Sequence, residues 1–191
     1  NLISVVPGAS CSITDEDIKK AEGIIYNNEI LLVQLENNLD ATLKVIDRAH
    51  RRRRVIILNP APVISLPEEI YSKLYAITPN ETEAEKLTGI RIKTIEDAEK
   101  SSNYFHKKGV KNVIITLGEK GVYISTQREK AHLPPIQVDV VDTTGAGDAF
   151  NGGLVAGLSK NQSIRQACEY AIIVAGLSVT KVGTSIAMPT L

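Results

Sequence analysis

Short apolar runs alternate with helix-patterned stretches along nearly the whole of this chain, and no other feature restricts its fold as much. "EILLVQLE" (Glu29–Glu36), "VIILNPAP" (Val55–Pro62), "YAITPN" (Tyr75–Asn80), "NVIITLG" (Asn112–Gly118) and "GVYIST" (Gly121–Thr126) read as strands covered on both faces. Helical spacing and capping signals mark Thr14–Asn27, Asp40–Arg52, Pro67–Leu74, Glu81 to Gly89, Thr94–Gly109, Gly145–Leu158 and Ser163–Lys181. Pro67 stands at an expected first helical position, and Gly109 closes its helix. The link "EK" joins the last two strands closely enough for a hairpin. This order predicts an α/β fold around a mostly parallel sheet, in a single domain spanning 1–191.

Composition removes several functional classes. Lys and Arg together number 22, as do Asp and Glu, so net charge gives no support for nucleic acid or an anionic membrane as the main partner. No apolar run approaches the ~18 residues of a membrane span, and the N-terminus lacks a secretory pattern. Cys11 and Cys168 form no CxxC pair, and His50, His106 and His132 are scattered without metal-ligand spacing. The expected location is the cytoplasm. The basic run "HRRRR" (His50–Arg54) falls at a helix end, where the dipole favours cations, and reads as a solvated terminus.

In open α/β sheets, ligands bind outside the carboxyl ends of the strands. Polar residues stand just past successive strands here: Glu36, Asn59, Asn80, Thr116 with Gly118, and Asp142 with Thr144. They should converge on one edge. In "DTTGAGD" a glycine loop ends where an apolar helix begins, so free amides and the positive dipole end suit an oxyanion. The stretch is neither a Walker A loop, since no G-K-[ST] follows, nor GxGxxG, since Phe150 holds the sixth position. Asp148, in the first helical turn, is stabilised in its charged form and could accept a hydroxyl proton during phosphoryl transfer.

Taken together, "DTTGAGDAFNGG" (Asp142–Gly153), "QLE" (Gln34–Glu36), "NPAP" (Asn59–Pro62), "TPNETEAEKLTG" (Thr78–Gly89) and "ITLGEKGV" (Ile115–Val122) resemble the ribokinase-like (PfkB) carbohydrate kinases. The resemblance runs from Val5 to about Gly183. It implies a three-layer sandwich with a mostly parallel central sheet, and transfer of the ATP γ-phosphate to the O5 hydroxyl of D-ribose. It also implies Asp148 as catalytic base, Gly145, Ala146 and Gly147 as anion hole, and Glu36 with Asp148 as sugar contacts. Asn80, Thr116, Gly118, Gly121 and Gly147 would bind the nucleotide, and Glu83 would organise Mg²⁺ through water. K⁺ would be held by Asp142, Thr144 and the carbonyls of Ser178, Lys181 and Gly183; its last ligand falls near Ala187, which offers no side-chain oxygen. Ile172 would pack on the adenine.

The absence of an initiator Met and the strand-like opening residues suggest a C-terminal portion. The sugar-binding glycine motif and lid of the family, through which a homodimer would form, are then expected elsewhere. Two other readings stay open: a kinase for another sugar or nucleoside, such as deoxyribose, and a non-catalytic nucleotide-binding fragment.

Overall fold

The computed structural model describes residues 8–189; the opening "NLISVVP", read above as the continuation of a strand, lies outside them. Among the described residues, six strands follow one another across a single sheet in chain order: Ile30–Val33 (β1), Val55–Leu58 (β2), Ala76–Ile77 (β3), Asn112–Thr116 (β4), Val122–Ser125 (β5) and Lys130–Leu133 (β6). β1 to β4 are parallel, and β5 and β6 are antiparallel additions. The α/β class and mostly parallel sheet follow the pattern read from the sequence, and the "EK" link is a hairpin.

Side chains alternate across the sheet, as the two-residue strand period requires. Ile56, Leu58, Ile77, Val113, Ile115 and Tyr123 enter one core. Ile57, Ala76, Ile114, Val122 and Ile124 enter the other. Both faces are therefore dry, which is why the strands read as unbroken apolar runs. Each of the fully buried isoleucines contributes roughly 1.5–3 kcal/mol by leaving water.

The helices divide unequally between the faces. Leu39–Arg51 (α3), Glu68–Tyr71 (α4), Glu81–Thr88 (α5) and Ile95–Lys107 (α6) carry the parallel crossovers, and all of them feed the first core through Ile46, Ile70, Ala84 and Phe105. Right-handed crossovers along a sheet that always advances in one direction must fall on one face. The second face is closed by Ala146–Ser159 (α7) and Ile164–Ser178 (α8), through Phe150, Leu154, Ala167, Cys168 and Ala171. No described helix is long and apolar enough to cross a membrane.

Three details differ from the sequence reading. The helix expected over Thr14–Asn27 is two, Asp15–Lys20 (α1) and Glu22–Asn27 (α2), broken at Ala21; Gly23, a poor helix former, lowers the cost of the break. Pro67 is the N-cap of α4 rather than its first helical residue. β6 was not foreseen, because "KAHL" is short, charged and without an apolar run, as suits a sheet-edge strand. Ile172 is 8 % exposed and belongs to the second core, so most of its surface is taken up by the protein's own packing.

α7 and α8 approach closely through two glycines on one face. A Cβ at Gly153 would lie 2.8 Å from Ala171 Cα, and one at Gly157 would lie 2.8 Å from Ala167 Cα. Exposed Gly152 has nothing within 4 Å of the same position. Gly153→Ala should therefore destabilise the protein by roughly 1–3 kcal/mol through overpacking. Gly152→Ala should stabilise it by about 0.5–1 kcal/mol through helix propensity alone. Chemical denaturation of the two variants measures both, and opposite signs are the expected result.

Candidate active site

The site begins with the way α7 starts. α5, α6 and α8 each open with a capping box in which Asn80, Thr94 or Ser163 takes a first-turn amide. α7 opens instead at Gly145, in the left-handed conformation (φ 78°, ψ 5°) and with no side-chain cap. The positive φ is what demands glycine there. The Ala146 amide donates to Thr143 O at 3.2 Å, while no side chain caps the Gly147 and Asp148 amides at the positive end of this 14-residue helix. Gly147 adds room: a Cβ there would meet no protein atom within 4 Å, so nothing in the protein's own packing calls for a glycine. Such a terminus is built to receive an anion.

Asp148 stands in this first turn, exposed, with Oδ1 accepting a 2.7 Å hydrogen bond from Gln34 Nε2. The same cleft, of about 200 Å³, is lined by Glu36 after β1, Asn80 and Glu83 after β3, and Thr116 ending β4, together with Gly145, Ala146, Gly147 and Asp148. Eight residues singled out from the sequence thus share one opening at the carboxyl edge of the sheet. Asn80 and Glu83 are interlocked. Glu83 Oε2 accepts from the Asn80 amide and Oε1 from Asn80 Nδ2, both at 2.9 Å, while Asn80 Oδ1 accepts from the Glu83 amide at 2.8 Å. Burial pushes the Glu83 carboxyl above its ordinary range, against the lowering effect of the Asn80 amide. A partly desolvated carboxylate at a cleft mouth gains most from a nearby cation.

The remaining expected residues fall into two further groups. Asp142 and Thr144 form a tight turn, in which Asp142 Oδ1 accepts from the Thr144 hydroxyl (2.7 Å) and amide (2.9 Å). Asp142 Oδ2 accepts from the Gly183 amide at 3.0 Å. The Val141 and Asp142 amides both donate to Val179 O, which ties this turn to the end of α8 beside Ser178. The Thr144 hydroxyl, then the Gly183 and Thr144 amides, hold the Asp142 carboxyl down to about 2. Lys181 is exposed on the segment that follows α8, and Ser178 is buried with its hydroxyl donating to Ala175 O. Asp142, Thr144, Ser178, Lys181 and Gly183 thus lie on the two joined segments, outside the lining of the cleft.

Gly118 and Gly121 turn the hairpin between β4 and β5, with φ of 55° and 88°. Neither lines the cleft. Gly121 is also demanded by packing, since a Cβ would come within 2.1 Å of Leu133 O. Gly118 is exposed beside Thr116, and a Cβ there would meet nothing within 4 Å.

Gln34, Asn59, Ala61, Thr78, Thr143 and Asn151 also line the cleft and had no role assigned from the sequence. Gln34 was visible only as part of "QLE", and Asn151 only as part of "DAFNGG". Both are neutral amides, and the partners that tie them into the site, Asp148 for Gln34 and Thr78 for Asn151, are far away in the chain, so no local pattern could have marked them.

The family model of the pfkB family carbohydrate kinases matches residues 1–191. The chain is similar to the ribokinase of Haemophilus influenzae, at 37 % identity over 190 residues that cover 100 % of this chain and 62 % of that protein. It is also similar to the deoxyribokinase of Salmonella typhi, at 32 % identity over 192 residues, covering 100 % of this chain and 63 % of that one. Among solved structures it superposes on Arabidopsis thaliana ribokinase complexed with ribose and ATP, with a TM-score of 0.88 and 30 % identity, over 96 % of this chain and 60 % of that one. The chain therefore spans less than two thirds of the length of these relatives, and over all of its own length it belongs to the pfkB family of carbohydrate kinases.

Proposed function

We propose that the full-length protein transfers the γ-phosphoryl group of ATP to the O5 hydroxyl of D-ribose, giving ADP and D-ribose 5-phosphate. The observation that carries this reading is the meeting of Asp148, the uncapped start of α7 and the Asn80–Glu83 pair in one cleft. Asp148 takes the hydroxyl proton as the sugar oxygen forms its bond to phosphorus. The bond from phosphorus to the β-phosphate oxygen breaks, and ADP leaves with that electron pair. The amides of residues 145–147 face the charge that spreads over the transferring group.

Glu36, exposed at the cleft rim, accepts hydrogen bonds from sugar hydroxyls. Asn80 and Thr116 hold the nucleotide's phosphate region, with Gly118 and Gly121 shaping the loop beside it. Glu83 suits Mg²⁺ through a water, because magnesium keeps several waters and is shared with substrate phosphates. Asp142, ionised throughout the neutral range, suits K⁺ together with Thr144 and the carbonyls of Ser178, Lys181 and Gly183. The magnesium ion would offset phosphate charge and the potassium ion would firm the anion hole. The relation to deoxyribokinase supports a second reading, in which the acceptor is 2-deoxyribose and the transfer is otherwise unchanged.

Asp148→Asn in the full-length protein should lower turnover by roughly 10²–10⁴-fold, the usual worth of a general base. ADP release in a coupled assay across a sugar panel, with nucleotide titration alongside, measures this; nucleotide affinity should stay within a few-fold. Normal turnover would remove Asp148 from the chemistry. Ribose and 2-deoxyribose in the same panel separate the two readings of the acceptor.

The depressed carboxyl of Asp142 fixes a sign. What its ionised form contributes is fully present above the ordinary aspartate value of 3.8 and disappears only as pH falls through about 2. Activation by K⁺ should therefore be flat through the neutral range. Asp142→Ala should abolish the difference between K⁺ and Na⁺ buffers. Turnover measured in both salts from pH 6 to 8 checks each point.

A further inference from the structure

Behind Asp148 runs a closed circuit of side-chain hydrogen bonds that the chemistry above does not use. Gln34 Nε2 donates to Asp148 Oδ1 (2.7 Å) and to Asn59 Oδ1 (3.1 Å). Asn59 Nδ2 donates to Thr78 O at 3.1 Å. The Thr78 hydroxyl donates to Asn151 Oδ1 at 2.7 Å, and Asn151 Nδ2 donates to Gly147 O at 2.9 Å, one residue before Asp148. The path therefore leaves the first turn of α7, visits the ends of β1, β2 and β3 in turn, and returns to the same turn of α7.

Each link fixes the next. Asn151 must aim Nδ2 at the Gly147 carbonyl, which only accepts, so its Oδ1 faces the Thr78 hydroxyl, which lies closer to it (2.7 Å) than to its other acceptor, Leu58 O (3.4 Å). Asn59 must aim Nδ2 at the Thr78 carbonyl, so its Oδ1 receives one Gln34 hydrogen and leaves the other for Asp148. A flip of Gln34 or Asn59 would break two bonds, and a flip of Asn151 would set its Oδ1 against the Gly147 carbonyl. Asn59, Thr78 and Asn151 are 8 %, 2 % and 4 % exposed, so a broken link would strand a buried polar group.

We propose that Gln34, Asn59, Thr78 and Asn151 are positioning residues that hold the Asp148 carboxylate and the first turn of α7 in register with the strand ends. Gln34 occupies Oδ1 and thereby assigns proton acceptance to Asp148 Oδ2. The role rests on the phosphoryl-transfer reading above for its effect on rate, but not for its effect on geometry. Two independent measurements keep these apart.

Thr78→Val removes the bridging hydroxyl and keeps the shape; Thr78→Ser keeps the hydroxyl; Gln34→Met removes the donor at the cleft. In the full-length protein, Thr78→Val and Gln34→Met should each lower kcat roughly 10- to 100-fold, with KM for sugar and nucleotide within about 3-fold. Thr78→Ser should recover most of the rate. Crystal structures without sugar should show Asp148 on Gln34 in the wild type and displaced in Thr78→Val. Unchanged kcat with a lowered Tm, or an Asp148 carboxylate still on Gln34 in the Thr78→Val crystal, overturns the positioning role. A wild type inactive toward every sugar contradicts the transfer reaction instead, and the crystals then decide the positioning role by themselves. Should Thr78→Val fail to fold, Gln34→Met, which alters a half-buried side chain, decides it.

Discussion

A parallel sheet that always advances in one direction can cover only one of its faces with its own right-handed crossovers. Here β1 to β4 advance in that way, and α3, α4, α5 and α6 all lie on one side. The opposite face, bearing Ile57, Ile114 and Ile124, would be wet without α7 and α8. Closing it determines where the start of α7 lies. Gly153 and Gly157 set how closely the pair packs, and the Thr78–Asn151 hydrogen bond ties α7 to the end of β3. The first turn of α7 is thus delivered to the carboxyl edge of the sheet. Burying one sheet face thus also places a helix start with no side-chain cap at the edge where a ligand would enter.

The two acidic groups flanking that terminus are held in opposite electrostatic states. Asp142 receives three hydrogen bonds that favour its charge and hold its carboxyl at about 2, so it is a fixed anion. Glu83 is pushed upward by burial despite its bond from the Asn80 amide, so its charge is costly until something positive approaches. A fixed anion suits a cation that stays with the protein. A carboxylate short of solvation suits one that arrives with a substrate.

Much of this was legible in the sequence because its causes are local. A glycine loop at a helix start and an acid in the first helical turn are constraints written in adjacent residues, which is how Gly145 and Asp148 could be named beforehand, whereas the roles of Asn80 and Glu83 came from the resemblance of "TPNETEAEKLTG". The strands were legible because burial on both faces leaves a run of Ile, Leu and Val. What stayed hidden depends on distance along the chain. Gln34 meets Asp148 across 114 residues, and Thr78 meets Asn151 across 73. Nothing beside Gln34 or Asn151 records those meetings. β6 was hidden for a different reason: an edge strand with Lys130 and His132 exposed has no apolar pattern to display.

The central claim is that the Asp148 carboxylate and the first turn of α7, which no side chain caps, meet a sugar hydroxyl and a terminal phosphate in the same cleft. The most direct measurement is a crystal structure of the full-length protein with ribose and a non-hydrolysable ATP analogue. The account predicts the γ-phosphate at the amides of residues 145–147, with Asp148 Oδ2 within hydrogen-bond distance of the sugar's primary hydroxyl. A nucleotide whose γ-phosphate lies away from the start of α7, or a sugar that leaves Asp148 untouched, would contradict it.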